Sequence, residues 1–113
     1  MSLITFKARD VSFSEEFDGQ LAQVKFDADE DIDSIEITQP YFLISFDFEA
    51  CPIYHNIEWF DGKKFDGGAK IKKHILNQHF FQVYLDNDMR FDIEHTVNKS
   101  VYAEIKRVLD HLK

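Results

Sequence analysis

Met89-Arg90-Phe91-Asp92-Ile93-Glu94-His95-Thr96-Val97-Asn98-Lys99-Ser100-Val101-Tyr102-Ala103-Glu104-Ile105-Lys106-Arg107-Val108-Leu109-Asp110-His111-Leu112 changes its period halfway. In the first six residues Met89, Phe91 and Ile93 alternate with Arg90, Asp92 and Glu94, the two-residue repeat of a half-buried strand. After Asn98 the apolar residues fall at Val101, Ile105, Val108, Leu109 and Leu112, a stripe with the 3.6-residue spacing of a helix. Asn98 or Ser100 can cap its start, and Lys106 and Arg107 sit toward its negative end.

Upstream of this boundary the two-residue period dominates. Leu3 to Arg9 reads as a first strand with Ile4, Phe6 and Ala8 on one face, and Gln20 to Phe26 as a second. Ser12 to Asp18 between them is an acid-rich connection of ambiguous type. Asp27 to Ser34 reads as a charged loop, and Ile35 to Thr38 can begin another strand that Pro40 interrupts. Tyr41 to Phe48 is strongly apolar, with Phe42, Ile44, Phe46 and Phe48 in phase. Ile57 to Phe60 and Lys63 to Phe65 flank Asp61-Gly62, which suits a two-residue type I′ hairpin turn. Asp66-Gly67-Gly68 reads as a further turn. Lys70 to Leu76 and His79 to Leu85 read as strands paired across Asn77-Gln78, and Asp86-Asn87-Asp88 leads into Met89. The expectation is a single α+β domain over 1–113: an antiparallel meander of about six to eight strands packed on one C-terminal helix.

Charge is the strongest functional feature. From Asp10 to Asp61 there are fourteen Asp and Glu against Lys25 alone, −13, while the whole chain is −8, so the remainder is +5. Such a field attracts cations and basic partners and repels nucleic acid. Twelve of the seventeen aromatic residues are Phe, enough large rings to anchor a small core despite the acidity. Cys51 is the sole cysteine, so no intramolecular disulfide forms, which fits a reducing compartment. The first residues lack the apolar core of a signal peptide, and no run reaches the roughly 18 apolar residues of a membrane span. A cytoplasmic protein without membrane or nucleic-acid partners is the expectation.

No stretch carries a recognisable chemistry. Asp27, Asp29 and Asp31 alternate like the first ligands of an EF-hand, but the sixth and twelfth positions are Ile32 and Thr38 where Gly and Glu are needed. Cys51 and His55 could form a nucleophile pair only if the chain bends sharply at Pro52, and a buried, inert Cys is the simpler reading. His74 and His79, brought together across Asn77-Gln78, lack the further ligands zinc requires. Asp47 and Glu49 share a strand face, weak grounds for acid–base work in so acidic a chain. The basic group Lys70, Lys72 and Lys73 is short and has no stacking platform beside it. Catalytic, cofactor and metal residues are therefore all expected to be absent.

Binding is the remaining class. Asp27, Asp29, Glu30, Asp31, Asp33 and Glu36 can meet a basic protein partner, or can simply be a solvated face. Trp59 beside the hairpin can anchor an interface, or can pack across the sheet. Self-association through a sheet edge or the Trp59 hairpin is the alternative to a basic partner.

The order of elements resembles a known family. The acid-rich loop feeds Tyr41-Phe42-Leu43-Ile44-Ser45-Phe46. Ile57-Glu58-Trp59-Phe60-Asp61, the Gly67-Gly68 turn, Ile71 to Leu76 and Phe80 to Leu85 follow, and a short strand and amphipathic helix close the chain. Over residues 20 to 112 this resembles the bacterial immunity protein 10 family of polymorphic toxin systems. The resemblance implies a cytoplasmic protein that binds and neutralises a toxin domain, and it carries no functional residue over to this chain.

Overall fold

The computed structural model describes residues 2–29 and 39–112. Among them nine strands form two sheets, and one helix, α1 (Lys99–Leu109), follows the last strand. The first sheet contains β1 (Ser2–Lys7), β7 (Ile71–Leu76), β8 (Phe80–Leu85) and β9 (Met89–Glu94), in the order β1-β9-β8-β7. The second is a five-stranded antiparallel meander of β2 (Asp10–Glu16), β3 (Leu21–Asp27), β4 (Tyr41–Asp47), β5 (Tyr54–Phe60) and β6 (Phe65–Gly67). The α+β class stands, with nine strands rather than six to eight. One pairing departs from the antiparallel pattern: β1 runs parallel to β9.

Alternation decides which face of each strand is buried. Ala22, Val24 and Phe26 of β3, Phe42, Ile44 and Phe46 of β4, and Ile57 and Trp59 of β5 turn inward. Phe81, Val83 and Leu85 of β8 and Phe91 and Ile93 of β9 meet them from the other sheet. Phe26 stacks on Phe81 with ring centroids 4.8 Å apart, and Phe42 lies 4.8 Å from Phe91. Each such ring removes roughly 150–250 Å² from water, so these contacts join the two layers. Ile105, Val108 and Leu109 of α1 complete the core. Asn98 is the cap, accepting from the Val101 amide at 2.9 Å, and Ser100 donates its hydroxyl to the same Asn98 oxygen. The Arg107–Glu15 ion pair ties the helix to β2.

Two short connections carry the chain between sheets. Ala8 donates to Glu94 O in one layer while Arg9, the next residue, donates to Asp27 O in the other. After β6, Gly68 still donates to Ile57 O, and Lys70 is already bonded to Asp86 beside β7. The first of these crossings explains a misread element. Ser12 to Asp18 is not a connection: β2 spans Asp10–Glu16 and pairs with β3 throughout, with Val11 and Phe13 packed on the core. Asp10 and Glu16 lie on the solvent-facing side of this edge strand, and Glu15, on the side of Val11 and Phe13, meets Arg107 of the helix. The turn after it holds Phe17, Asp18 and Gly19 at positive φ.

The Asp-Gly hairpin also differs from its expected form. Phe60 pairs with Phe65, so the loop is the four residues Asp61 to Lys64. The Asp61 carboxylate accepts from the Lys63 and Lys64 amides, both at 2.8 Å, and this side-chain closure replaces the two-residue turn. Gly67, expected in a turn, belongs to β6.

His95 is the one buried polar residue among those described, fully enclosed next to Phe26. Its Nδ1 accepts from the Val97 amide at 3.4 Å, which leaves the hydrogen on Nε2, and Nε2 has no hydrogen-bond partner. Burial pushes its pKa below the ordinary 6.5. The unfolded chain therefore binds the proton more readily, and stability present above pH 6.5 is lost as the pH falls through it. His95→Phe should flatten this loss by up to roughly 1.4 kcal/mol per pH unit. His55 and His74, shifted in the same direction by burial, keep a residual slope. Urea denaturation from neutral to mildly acidic pH measures the difference.

Candidate functional site

The outer face of the five-stranded sheet carries one row of cross-strand neighbours from edge to edge: Asp10, Asp27, Tyr41, Phe60 and Phe65. Phe65 is 55% exposed and stacks on Phe60, with ring centroids 4.3 Å apart. Tyr41 lies 6.2 Å from both rings. The next row places Lys25, Leu43, Glu58 and Gly67 side by side.

The polar groups of these two rows interlock. Tyr41 donates its hydroxyl to Glu58 Oε2 at 2.7 Å. Burial, then the Glu58 carboxylate, raises the Tyr41 pKa well above its ordinary value, so the phenol keeps its proton and stays the donor. Lys25 lies 4.9 Å above the Tyr41 ring and pairs with Asp27 at 3.3 Å. Beside them opens a groove of about 450 Å³ lined by Tyr41, Glu58, Phe65, Asp66, Gly67 and Gly68, among others. Glycine is required at its floor, because a Cβ on Gly67 would lie 2.7 Å from the Ile57 carbonyl oxygen.

The same face anchors the acidic segment. Ala28 donates to Pro40 O at 2.9 Å, and the Asp29 amide donates to Asp27 Oδ1 at 3.0 Å. The segment therefore leaves and re-enters the sheet beside Asp27 and Tyr41. Of the residues expected to contact a partner, Asp27 and Asp29 sit at this mouth. Glu30, Asp31, Asp33 and Glu36, and the strand start at Ile35 to Thr38, lie outside the described residues.

Trp59 is a correction. It is 3% exposed, faces inward opposite Phe42 and meets Phe91 edge-on at 5.6 Å, so it packs across the sheet and does not anchor a partner. Phe65, one strand further, is an exposed aromatic near the hairpin loop. Sequence alternation does separate Trp59 from the Phe60–Phe65 face. Only the register of β4 on β5 brings Tyr41 to the same row.

The catalytic and metal candidates disperse. Cys51 is exposed rather than buried, in the bend before β5. His55 Nε2 accepts from the Ile71 amide at 3.1 Å and its carbonyl accepts from Lys70 Nζ, so that nitrogen holds β7 in place and cannot activate a thiol. His74 pairs with Val83 and Leu76 with Phe81, which leaves His79 in the turn beyond the ladder rather than opposite His74. Asp47 accepts from the Glu49 amide at 3.1 Å and closes the end of β4. Among the described residues no group of three or more His, Cys, Asp or Glu could hold a metal ion, and no helix is long and apolar enough to cross a membrane.

Scans against protein-family models, curated proteins and solved structures find no match to this chain. The resemblance to the immunity family therefore rests on the order of elements alone.

Gly67→Ala tests the packing that shapes the groove. The obstructing atom is backbone, so β5 and β6 must separate, and the variant should lose roughly 1–3 kcal/mol in thermal or urea unfolding.

Proposed function

We propose that this chain is a non-enzymatic protein-binding module, an immunity-type protein that neutralises a cognate bacterial toxin in the cytoplasm by covering a basic site. The observation that carries this reading is the placement of Asp27. The −13 stretch gathers its densest acids in the segment after Asp27, and the sheet register sets that segment's base against the row of Tyr41, Phe60 and Phe65. Acidic steering and an aromatic contact then belong to one surface. Charges speed the encounter, and a desolvated ring supplies contact energy once the partner has docked. Inhibition is by occlusion and needs no catalytic group.

Reversing charge at Asp29, Asp31 and Asp33 to Lys should slow association with a basic toxin domain encoded beside this gene by about tenfold or more, and weaken its salt dependence. Stopped-flow association at low and high salt measures both. An unchanged rate and salt response would sink acidic docking.

Self-association is the second reading, and one edge favours it. The β7 edge is interrupted by an irregularity between Ile71 and Lys73 and carries lysines, β2 is acidic, and β6 is three residues long. These are devices that discourage strand addition. By contrast β1, among the described residues, pairs only with β9, contains no acid, and leaves Leu3 57% exposed. Because Ala8 donates toward β9, the alternate residues Leu3, Thr5 and Lys7 direct their backbone groups to the open side. On this reading sedimentation velocity shows a dimer that grows with concentration and disappears in Thr5→Pro. A monomer throughout rejects it.

A further inference from the structure

We propose that the groove between Phe65 and Glu58 is a receptor for a single arginine side chain of the partner, which deepens the basic-partner reading and rests on it. Phe65 has one face against Phe60 and is otherwise 55% exposed, so a flat aromatic surface is presented at the groove wall. A guanidinium stacks on such a face through both its charge and its planarity, which an ammonium does not match.

Glu58 supplies the counter-charge. Its Oε2 is held by the Tyr41 hydroxyl at 2.7 Å, which fixes the carboxylate before any ligand arrives. Among the described residues its Oε1 makes no hydrogen bond. Asp66 also lines the groove, and its carboxylate accepts from the Gly67 amide at 2.8 Å. Lys25, across Leu43 from Glu58 in the same row, is committed to Asp27 and to the Tyr41 ring.

The groove has room and is kept open by backbone. Its volume of about 450 Å³ exceeds what one side chain needs, and it is lined in part by Gly67 and Gly68, which leave no side chain in the way. Carboxylates and a ring face exclude an anionic ligand, and the shallow setting on one sheet face suits a side chain projecting from a larger protein. The groove is continuous with the acidic mouth, because Asp27 and Tyr41 are register partners and Tyr41 lines the groove. A partner steered by the acidic segment would therefore deliver a basic residue there.

The test is an amide-resolved NMR titration of the intact chain with Nα-acetyl-arginine amide, compared with the uncharged isostere Nα-acetyl-citrulline amide. The arginine probe should give saturable shifts centred on Phe65, Gly67 and Gly68, and citrulline should not. Phe65→Ala, at an exposed position, should weaken the arginine response about two- to fivefold. Glu58→Gln, which keeps an acceptor for Tyr41, should weaken it at least as much. Shifts spread over the acidic surface alike for both probes, or unaffected by both substitutions, would overturn the groove. If the toxin domain still binds in that case, acidic docking stands without the groove. If the groove shifts appear but no basic toxin domain binds, the arginine site stands and the immunity reading fails.

Discussion

The contact between the inner faces of the two sheets governs everything else in this protein. Phe26 against Phe81 and Phe42 against Phe91 set the spacing of the layers, and Trp59 fills the space beside Phe91. Neither sheet alone could bury these rings, so the strands are stable only as a pair of layers. Once Phe42 and Trp59 are fixed inward, strict alternation sends Tyr41 and Phe60 to the outer face. The candidate surface is thus a consequence of core packing: a one-residue slip between β4 and β5 would dismantle both.

On the proposed reading, that outer face combines two kinds of recognition that are usually weak in isolation. Exposed acids steer a partner but contribute little affinity once screened by salt. An exposed ring contributes contact energy but gives no long-range guidance. Here the register places the base of the acidic segment, the Tyr41–Glu58 hydrogen bond and the exposed Phe65 within adjacent rows of one sheet. The helix packs elsewhere, along β2 through Arg107 and Glu15, and of the row Tyr41, Phe60 and Phe65 it is Phe65 that is exposed.

Much of the architecture was legible in the residues because the signals were local. The strand at Met89–Glu94 and the apolar stripe of α1 need only their own period and the Asn98 cap. Elements misread were those whose character depends on neighbours. β2 carries the acids of a connection because it is an edge strand with a solvent-facing side. The Asp61 turn closes on its own carboxylate, and the parallel partnership of β1 and β9 joins segments at opposite ends of the described chain. Cys51 and Trp59 were likewise placed by context: one in an exposed bend, the other against Phe91.

The sequence by itself determined the acidic charge of the Asp10–Asp61 stretch, the alternation that makes most strands, and the switch of period that makes the helix. Each follows from covalent order and a repeat of two or 3.6 residues. Only the tertiary structure decided that there are two layers, that the chain crosses between them at Ala8–Arg9 and Gly68–Lys70, and that Phe65 rather than Trp59 faces outward with Glu58. The physical reason is register. Which residues of distant strands become neighbours depends on how the buried rings interlock, and no local pattern encodes that choice.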